Sequence, residues 1–497
     1  LHRRRHSFPT RRSSDLPFMS AISQRYGWAL IGLQLISVLP AVLLQQWWWL
    51  ILPSCLLLSW KFAEIYLQQT VQLFWWWLWV LPLSTELAIT DSLSLDFPGE
   101  PFLILLTGAI LLLLITRRFS LPLAVFKSSL LVLILFHLFW IGITILFSQE
   151  PILSIKYLLA KCWYVLPLVI LPSVLLQGYR HWQQMALALC IPMLLVVGQS
   201  ILRHAAHSFS FEGIKDTLDP FFRNHVNYSG MLVCLLPIGI AIYILTNDHR
   251  KKRKVGIALG IAMMGLILAY SRGAWVVAIA GFFVYWLIKR KWMMHALVMS
   301  LILVSLALSW LLQGNRFLQY RPDFTTTIFH TDFTDHMSAT LALKDVSNAE
   351  RFYRWTAGVA MAAEEPITGF GPNSFYLHYK PYAAQLFRTW VSNNPDHSTV
   401  HNYYLLLALE QGLPGLLFFL IILFSALYRA QYLFHRLQTQ LYRYAAMIAG
   451  IMLSMIALLN TMSDLIETDK IGGLFWLCIG VLIALEGKLQ EERTTIA

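Results

Sequence analysis

Long apolar runs recur along the chain, and most are near 20 residues, the length of a helix that crosses the hydrocarbon core of a bilayer. Hydrophobic residues make up 57% of the 497 residues and charged residues 13%, about half the usual share of a soluble domain. The runs are continuous rather than alternating, which excludes a β-barrel. The sequence therefore predicts an all-α polytopic membrane protein and excludes soluble, fibrous and disordered classes.

The runs predict about 12–14 transmembrane helices, the count depending on whether a short run forms half of a hairpin. Residues 19–312 hold the N-terminal transmembrane helices, and residues 401–497 hold the C-terminal ones and a tail. Between them, 313–400 forms one long polar loop with a predicted amphipathic helix at 349–363 and a turn, TGFGPNS, after it. The predicted spans lie near 27–44, 46–60, 71–90, 101–116, 128–147, 157–176, 183–203, 228–246, 255–270, 274–289, 293–312, 402–428, 443–463 and 470–486.

Residues 1–18 stand apart from this pattern. They contain the string HSFPTRRSSDL, which a common sequencing-adapter oligonucleotide encodes in one reading frame. We expect this segment to be a cloning or assembly artefact and Met19 to be the native start. The alternative is a basic cytoplasmic tail.

Basic residues cluster in alternate loops, which gives the predicted helices an orientation. The net charge is +12, and the clusters KKRK at 251–254, KRK at 289–291 and the arginines of 429–443 fall on one side. Short loops with such clusters stay in the cytoplasm. Both termini then face the cytoplasm and the long loop faces outward. This topology accounts for the basic charge, so no nucleic-acid partner is predicted.

Several arginines lie on the predicted outer side, although basic residues usually stay on the cytoplasmic side. Their position therefore calls for another explanation. Arg272 lies in AYSRGAW between two spans, Arg223 precedes a span beside Asn227, and Arg351 and Arg354 share a face of the loop helix. Guanidinium groups bind phosphate oxygens in pairs and stay charged, so these four arginines predict a diphosphate site. The alternatives are contact with lipid headgroups and, for the loop pair, an ordinary solvated face.

His401 begins HNYYLLLALEQGLPG, where the chain re-enters the membrane after the long loop. An imidazole exchanges protons near neutral pH, so His401 is a candidate general base. A lone interfacial histidine is more often structural, but Asn402, Tyr403 and Glu410 beside it favour a site. The acidic residues lack metal-ligand spacing, and those at 464–469 are interpreted as a solvated outer loop. We therefore predict a site without metal or cofactor.

Four pieces of the chain, in this order, resemble the O-antigen ligase and polymerase superfamily of bacterial envelope proteins. They cover about residues 220–425, and their order around the long loop is more specific than any piece alone. They are RNHVNYSGMLVCLLPIGIA at 223–241, YSRGAWVVAIAGF at 270–282, ERFYRWTAGVAMAAEEPITGFGPNSF at 350–375 and HNYYLLLALEQGLPGLLFFLIIL at 401–423.

The resemblance implies a helical glycosyltransferase of the bacterial inner membrane, with its site on the periplasmic face. Family members take glycans from undecaprenyl diphosphate. Ligases transfer them to the lipid A core, whereas polymerases transfer them to a growing glycan. The resemblance also implies a catalytic His401, an essential Arg272 and a less certain diphosphate-binding Arg223.

Other functions stay open from the sequence. A polymerase and a protein O-oligosaccharyltransferase of the same superfamily would need the same donor, and a lipid-linked glycan flippase would also have many spans. The chain shows no internal repeat, and its notable polar residues cluster on one side, which favours an enzyme over a transporter. The aromatic and basic residues of the long loop favour a ligase.

Overall fold

A computed structural model describes residues 72–90, 93–115, 123–320, 346–389, 392–394 and 397–496, together with Gly32. The described residues are almost entirely helical, with one two-stranded sheet among them. Nine of the described helices are long and apolar enough to cross a membrane. The chain is therefore an all-α polytopic membrane protein, as its apolar runs predict.

Each predicted span from residue 101 onward coincides with a helix, whereas the spans near 27–44 and 46–60 lie outside the described residues. Residues 72–80 are also helical. The other α-helices are α1 (Gly99–Ile115), α2 (Leu123–Lys127), α3 (Ser129–Leu146), α4 (Pro151–Leu175), α5 (Tyr179–Ala206), α6 (Ile214–Thr217), α7 (His225–Leu245), α8 (His249–Leu268), α9 (Arg272–Arg290), α10 (Met293–Leu312), α11 (Val346–Glu364), α12 (Phe375–His378), α13 (Tyr403–Arg436), α14 (Gln440–Leu459) and α15 (Asp469–Ile496). Short 3₁₀ helices cover Leu81–Leu83, Gln313–Tyr320, Lys380–Tyr382, Gln385–Phe387 and Leu465–Glu467.

The predicted span over 71–90 is wrong in its second half. The helix ends in the 3₁₀ turn Leu81–Leu83, after which β1 (Thr85–Thr90) pairs antiparallel with β2 (Leu93–Phe97). The segment LSLDF alternates polar and apolar residues, which is the period of a strand, whereas TELAIT holds three apolar residues in succession. The apolar residues of TELAIT therefore extend the predicted span, and the signal for a hairpin lies in its partner strand.

The C-terminal helices form the buried centre of the described bundle. Of the apolar window of α15, 89% is buried, whereas none of the window of α10 is. Helix α15 packs on α4, and α14 packs on both α13 and α9. A Cβ atom at Gly480 would overlap the carbonyl oxygen of Leu168, so glycine lets α15 approach the backbone of α4.

Helix α13 is broken at Gly412, where φ is +70° and ψ is 176°. The break separates the Leu409 carbonyl from the Leu413 N–H, and Pro414 has no N–H for the Glu410 carbonyl. The two carbonyl groups accept instead from the backbone N–H groups of Phe370, at 2.9 Å, and Gly371, at 3.0 Å. The long loop therefore supplies hydrogen bonds that the broken helix lacks.

The turn TGFGPNS is shaped to make this contact. Its glycines, Gly369 and Gly371, have φ values of +65° and +100°, which side chains disfavour. On the other side of the break, the N–H of Leu413 donates to the Pro366 carbonyl at 2.8 Å. The predicted turn is thus confirmed, and so is the predicted loop helix, which is α11.

Replacing Gly412 with alanine should destabilise the protein by about 2 kcal/mol or more, because alanine is strained at this φ. Its Cβ atom would also overlap the carbonyl oxygen of Ile367. Thermal unfolding in detergent measures the effect. Gly142→Ala is the control, since a Cβ at Gly142 in α3 meets nothing within 4 Å. Equal melting temperatures for Gly412→Ala and the wild type would show that the break does not need glycine.

Candidate functional site

His401 lies in the turn that joins the long loop to α13. Its φ is +52°, a left-handed conformation that few residues other than glycine adopt. Its backbone N–H donates to Thr399 Oγ1 at 3.3 Å, and its side chain is 36% exposed. The turn therefore presents an imidazole that solvent and a substrate can reach.

Asp464 is the carboxylate partner of His401. Its Oδ1 lies 3.5 Å from His401 Nδ1, and its Oδ2 accepts a hydrogen bond from Thr399 Oγ1 at 2.6 Å. Burial by itself would raise the pKa of Asp464, but hydrogen bonds from His401 and Thr399 and the charge of His401 lower it below its usual value. A carboxylate kept ionised beside an imidazole orients the ring and stabilises its protonated form, as a general base requires.

Residues 464–469 do not form the solvated loop that the sequence predicts. The side chains of Asp464, Glu467 and Asp469 are 21%, 23% and 8% exposed. Glu467 binds Lys161 at 2.8 Å, and Asp469 lies 3.4 Å from Lys470. One signal for this arrangement was visible: Lys161 falls inside an apolar run, where a cation needs a carboxylate partner.

The predicted supporting residues Asn402 and Tyr403 hold the turn in place. Asn402 caps α13, because its Oδ1 accepts a backbone N–H one turn into the helix at 3.1 Å. Tyr403 is buried, and its N–H lies 3.0 Å from the carbonyl oxygens of both Asn460 and Ser463. These bonds tie the start of α13, next to His401, to the end of α14.

Glu410 acts at the helix break rather than beside His401. Its side chain is buried, and its two carboxyl oxygens accept the backbone N–H groups of Asn373, at 2.9 Å, and Phe375, at 3.1 Å. The carboxyl group therefore fixes the end of the TGFGPNS turn. This contact gives Glu410 a structural role, holding the long loop against α13.

Arg272 begins α9, and its side chain is partly exposed. Helix α9 packs antiparallel to α14, since a Cβ at Gly281 would meet Met455, whereas one at Gly450 would meet Ile288, further along α9. From these contacts, α9 leads back to Arg272 and α14 leads forward to the segment 460–468. Arg272 therefore lies at the same end of the bundle as that segment. The structure thus brings Arg272 and His401 to the same end.

Arg223 precedes α7, whose first turn includes Asn227, and it forms an ion pair with Glu86 of β1. The guanidinium side chain is 72% exposed. The pKa of nearby Asp96 is raised, first by burial and also by the negative charge of Glu86. The positive charges of Lys470 and Arg223 partly offset this rise. Arg223 therefore lies in a patch of mixed charge, where a phosphate would compete with Glu86.

Arg351 and Arg354 lie one turn apart on α11. Arg354 is 6% exposed, with one terminal nitrogen 3.4 Å from Glu350 Oε2 and the other donating to the Thr399 carbonyl at 3.3 Å. The solvated-face alternative is therefore wrong for Arg354. Because Thr399 also binds the partner of His401, Arg354 connects the loop helix to the site.

Basic clusters lie at the other end of the bundle. His435 Nε2 lies 2.9 Å from the Ile288 carbonyl, so the basic residues of 289–291 and those of 429–443 are near one another, remote from His401. An apolar cavity of about 150 Å³ also lies toward that end, lined by residues that include Tyr179, Trp182, Leu245, Leu441 and Tyr444.

Residues 256–420 match the protein family described as O-antigen ligase. The match includes Arg272, Arg351, Arg354 and His401, and it confirms the resemblance drawn from the motifs. Asp464 lies outside the matched residues. Members of this family are glycosyltransferase-like ligases and polymerases, which supports enzyme status for the chain. Comparison with curated proteins finds no match to the chain.

Replacing Glu410 with alanine should leave the N–H groups of Asn373 and Phe375 unpaired and destabilise the protein by about 2–4 kcal/mol. Thermal unfolding gives the magnitude, and hydrogen exchange of the 370–376 peptide shows where the structure loosens. Glu364→Ala is the control, because Glu364 is an exposed glutamate on α11. Unchanged exchange at 370–376 would contradict the anchoring role of Glu410.

Proposed function

We propose that this chain, which carries an O-antigen ligase domain, transfers a glycan from undecaprenyl diphosphate to a hydroxyl group of the lipid A core. The observation that carries the proposal is the His401–Asp464 pair, which lies at the arginine-bearing end of a membrane bundle. The transfer requires a base for the acceptor hydroxyl and cations for the departing diphosphate. These two requirements match the residue types gathered at this end.

The basic clusters at the opposite end support an orientation. Lys and Arg in short loops favour the cytoplasm, so the end with residues 289–291 faces inward and His401 faces the periplasm of a bacterial inner membrane. Both termini are then cytoplasmic. Lipid-linked donor and acceptor can reach this face laterally, with the polyprenyl tail lying in the surrounding lipid between helices.

In the proposed reaction, His401 Nε2 takes the proton of the acceptor hydroxyl while Asp464 orients the ring through Nδ1. The acceptor oxygen attacks the anomeric carbon on the side opposite to the diphosphate. A new glycosidic bond forms as the bond to the diphosphate oxygen breaks, and that oxygen keeps the electron pair. The configuration at the anomeric carbon is inverted.

Arginines stabilise the negative charge that builds up on the diphosphate. Arg272 and Arg223 are accessible from the site end, and Arg351 lies on the loop helix above it. Each contact in a partly dehydrated site contributes about a hundredfold in rate. We assign Arg354 to holding Thr399, because its guanidinium group already binds Glu350 and the Thr399 carbonyl. No metal or cofactor takes part in this scheme.

A polymerase would use the same pair with a growing glycan as the acceptor, and a protein O-oligosaccharyltransferase would use a protein hydroxyl. The loop that covers the site carries aromatic and basic residues suited to an anionic lipid-linked core, which favours the ligase. A flippase would not need a base with an oriented ring.

The first test measures glycan transfer by the purified chain in liposomes that contain the labelled undecaprenyl-diphosphate glycan and the lipid A core. We expect His401→Asn and Arg272→Ala to lower the transfer rate by about a hundredfold or more. Asparagine is chosen because it tolerates a positive φ. His397→Asn is the matched control, since His397 also has a positive φ, of +51°, but stacks on Tyr376 instead.

Complementation of two deletion strains, one lacking the ligase and one lacking the polymerase, separates the acceptors. Long glycans on lipid A in the ligase-deficient strain support the proposal. Rescue confined to the polymerase-deficient strain shifts the function to chain extension. Movement of the donor across the bilayer without transfer indicates a flippase. Transfer that survives both His401→Asn and Arg272→Ala overturns the site.

A second test concerns Asp464. Asp464→Asn should lower kcat/KM at least about tenfold, because the carboxylate orients the imidazole ring for proton transfer. The transfer rates of Asp464→Asn and the wild type are measured side by side. Equal rates would remove Asp464 from the proposed mechanism.

A further inference from the structure

We propose that Lys161 is a positioning residue for the His401–Asp464 pair. It holds Glu467 in the bundle, and through Glu467 it holds the segment 460–468 that carries Asp464. The proposal rests on the proposed function, because it assigns a catalytic consequence to this anchor. Lys161 belongs to α4, outside the residues that match the O-antigen ligase family.

The contact between Lys161 and Glu467 is close, and its lysine is buried while the glutamate side chain is 23% exposed. The lysine side chain is 6% exposed, and its Nζ lies 2.8 Å and 2.9 Å from the two carboxylate oxygens. Tyr157, one turn earlier on α4, donates its hydroxyl to Oε1 of the same carboxylate at 3.1 Å. The ammonium group also lies 4.9 Å from the ring centre of Tyr157 and 5.9 Å from that of Tyr403. Glu467 is therefore held by α4 from several directions.

A short path of backbone bonds leads from Glu467 to Asp464. Asp464 precedes the 3₁₀ helix Leu465–Glu467, of which Glu467 is the last residue, and the N–H of Glu467 donates to the Asp464 carbonyl at 2.9 Å. The N–H of Ile466 donates to Asn460 Oδ1 at 3.2 Å. A segment this short and this tightly bonded moves as one piece. Fixing Glu467 therefore fixes the backbone from which Asp464 reaches His401.

The surrounding polar groups extend the anchor into α3 and α13. Gln411, next to the helix break, donates to the Tyr157 hydroxyl at 3.4 Å, and its amide oxygen lies 3.0 Å from His137 Nε2. Tyr403 also donates a hydrogen bond to Glu467, whereas the negative charge of Glu410 repels it. Lys161 is thus the cation that compensates the Glu467 charge among a chain of neutral hydrogen-bonding groups.

Loss of this cation has a definite physical consequence. Removing one member of a buried ion pair leaves the other charge uncompensated, whereas removing both members is better tolerated. In Lys161→Met, the Glu467 carboxylate would leave its site for solvent and draw the 460–468 segment with it. Asp464 would then lose its distance and direction to His401. If Glu467 were also replaced, no uncompensated charge would remain to pull the segment 460–468 toward solvent.

The experiment compares Lys161→Met with Lys156→Met, since Lys156 is an exposed lysine on the same helix. Hydrogen exchange of peptides that cover 460–468 is followed in the purified full chain, and it does not depend on any enzymatic activity. We expect exchange there to rise at least about tenfold in Lys161→Met and to stay at the wild-type rate in Lys156→Met. Wild-type exchange in Lys161→Met would overturn the proposal.

The kinetics of glycan transfer test whether the Lys161–Glu467 contact positions Asp464 for His401. In Lys161→Met we expect kcat to fall at least about tenfold with little change in KM, as in Asp464→Asn. Adding Lys161→Met to Asp464→Asn should lower the rate little further, because both changes remove the same contribution. Lys161→Arg should recover most of the activity.

The outcomes separate this proposal from the proposed function. Independent, multiplying effects of Lys161→Met and Asp464→Asn would overturn the positioning role, since they would show a general loss of stability. If Lys161→Met fails to fold, Lys161→Met/Glu467→Gln provides the test: exchange at 460–468 should stay near the wild-type rate because no charge is left uncompensated, and a rise of about tenfold would overturn the proposal. If the wild type transfers no glycan, the proposed function fails, and exchange at 460–468 alone then supports or overturns the anchor.

Discussion

The break in α13 at Gly412 is the constraint on which the site depends. A backbone that leaves the helical conformation at membrane depth must find new partners for its polar groups. Here the long loop supplies them, through backbone bonds from Phe370 and Gly371 to the carbonyl groups that the break exposes. The loop is thereby fixed against the half-helix that His401 begins. The hydrogen bonds that the broken helix requires therefore also fix the position of the candidate base, His401.

Buried ion pairs surround the same end of the bundle. Arg354 binds Glu350 on the loop helix, Lys161 binds Glu467 across helices, and Lys470 lies beside Asp469 at the start of α15. Each pair has a desolvation cost, so none is an efficient source of stability. Their common effect is on geometry, because any loop arrangement that separated such a pair would leave a charge without its partner in a poorly solvated position. They restrict the loops at this end to one arrangement.

The apolar runs were enough to predict the helices, because a span of about 20 apolar residues has few other structures in lipid. The hairpin of β1 and β2 was missed, since its residues are apolar enough to extend a neighbouring span. The alternation of polar and apolar residues in LSLDF was the contrary signal.

The site was predictable only in part. Arg272 and His401 lie in motifs, so resemblance found them, whereas Asp464 lies in a short acidic segment far along the chain. Polar residues beside a membrane are usually solvated, and only packing shows that Thr399 and His401 bind this one. Lys161 carried a signal of its own, as a cation within an apolar run. The sequence did not say which of three nearby acidic residues would pair with it.

Helix α10 differs from its neighbours in how it is held. None of its apolar window is buried, and it is attached near its first residue, where the Met293 N–H donates to Gln431 Oε1 at 2.9 Å. Tilting such a helix breaks few side-chain contacts. Its far end continues into Gln313–Tyr320, the start of the long loop. A helix held in this way can match its tilt to the thickness of the bilayer at low cost in packing, whereas the helices packed around α15 have many contacts to lose.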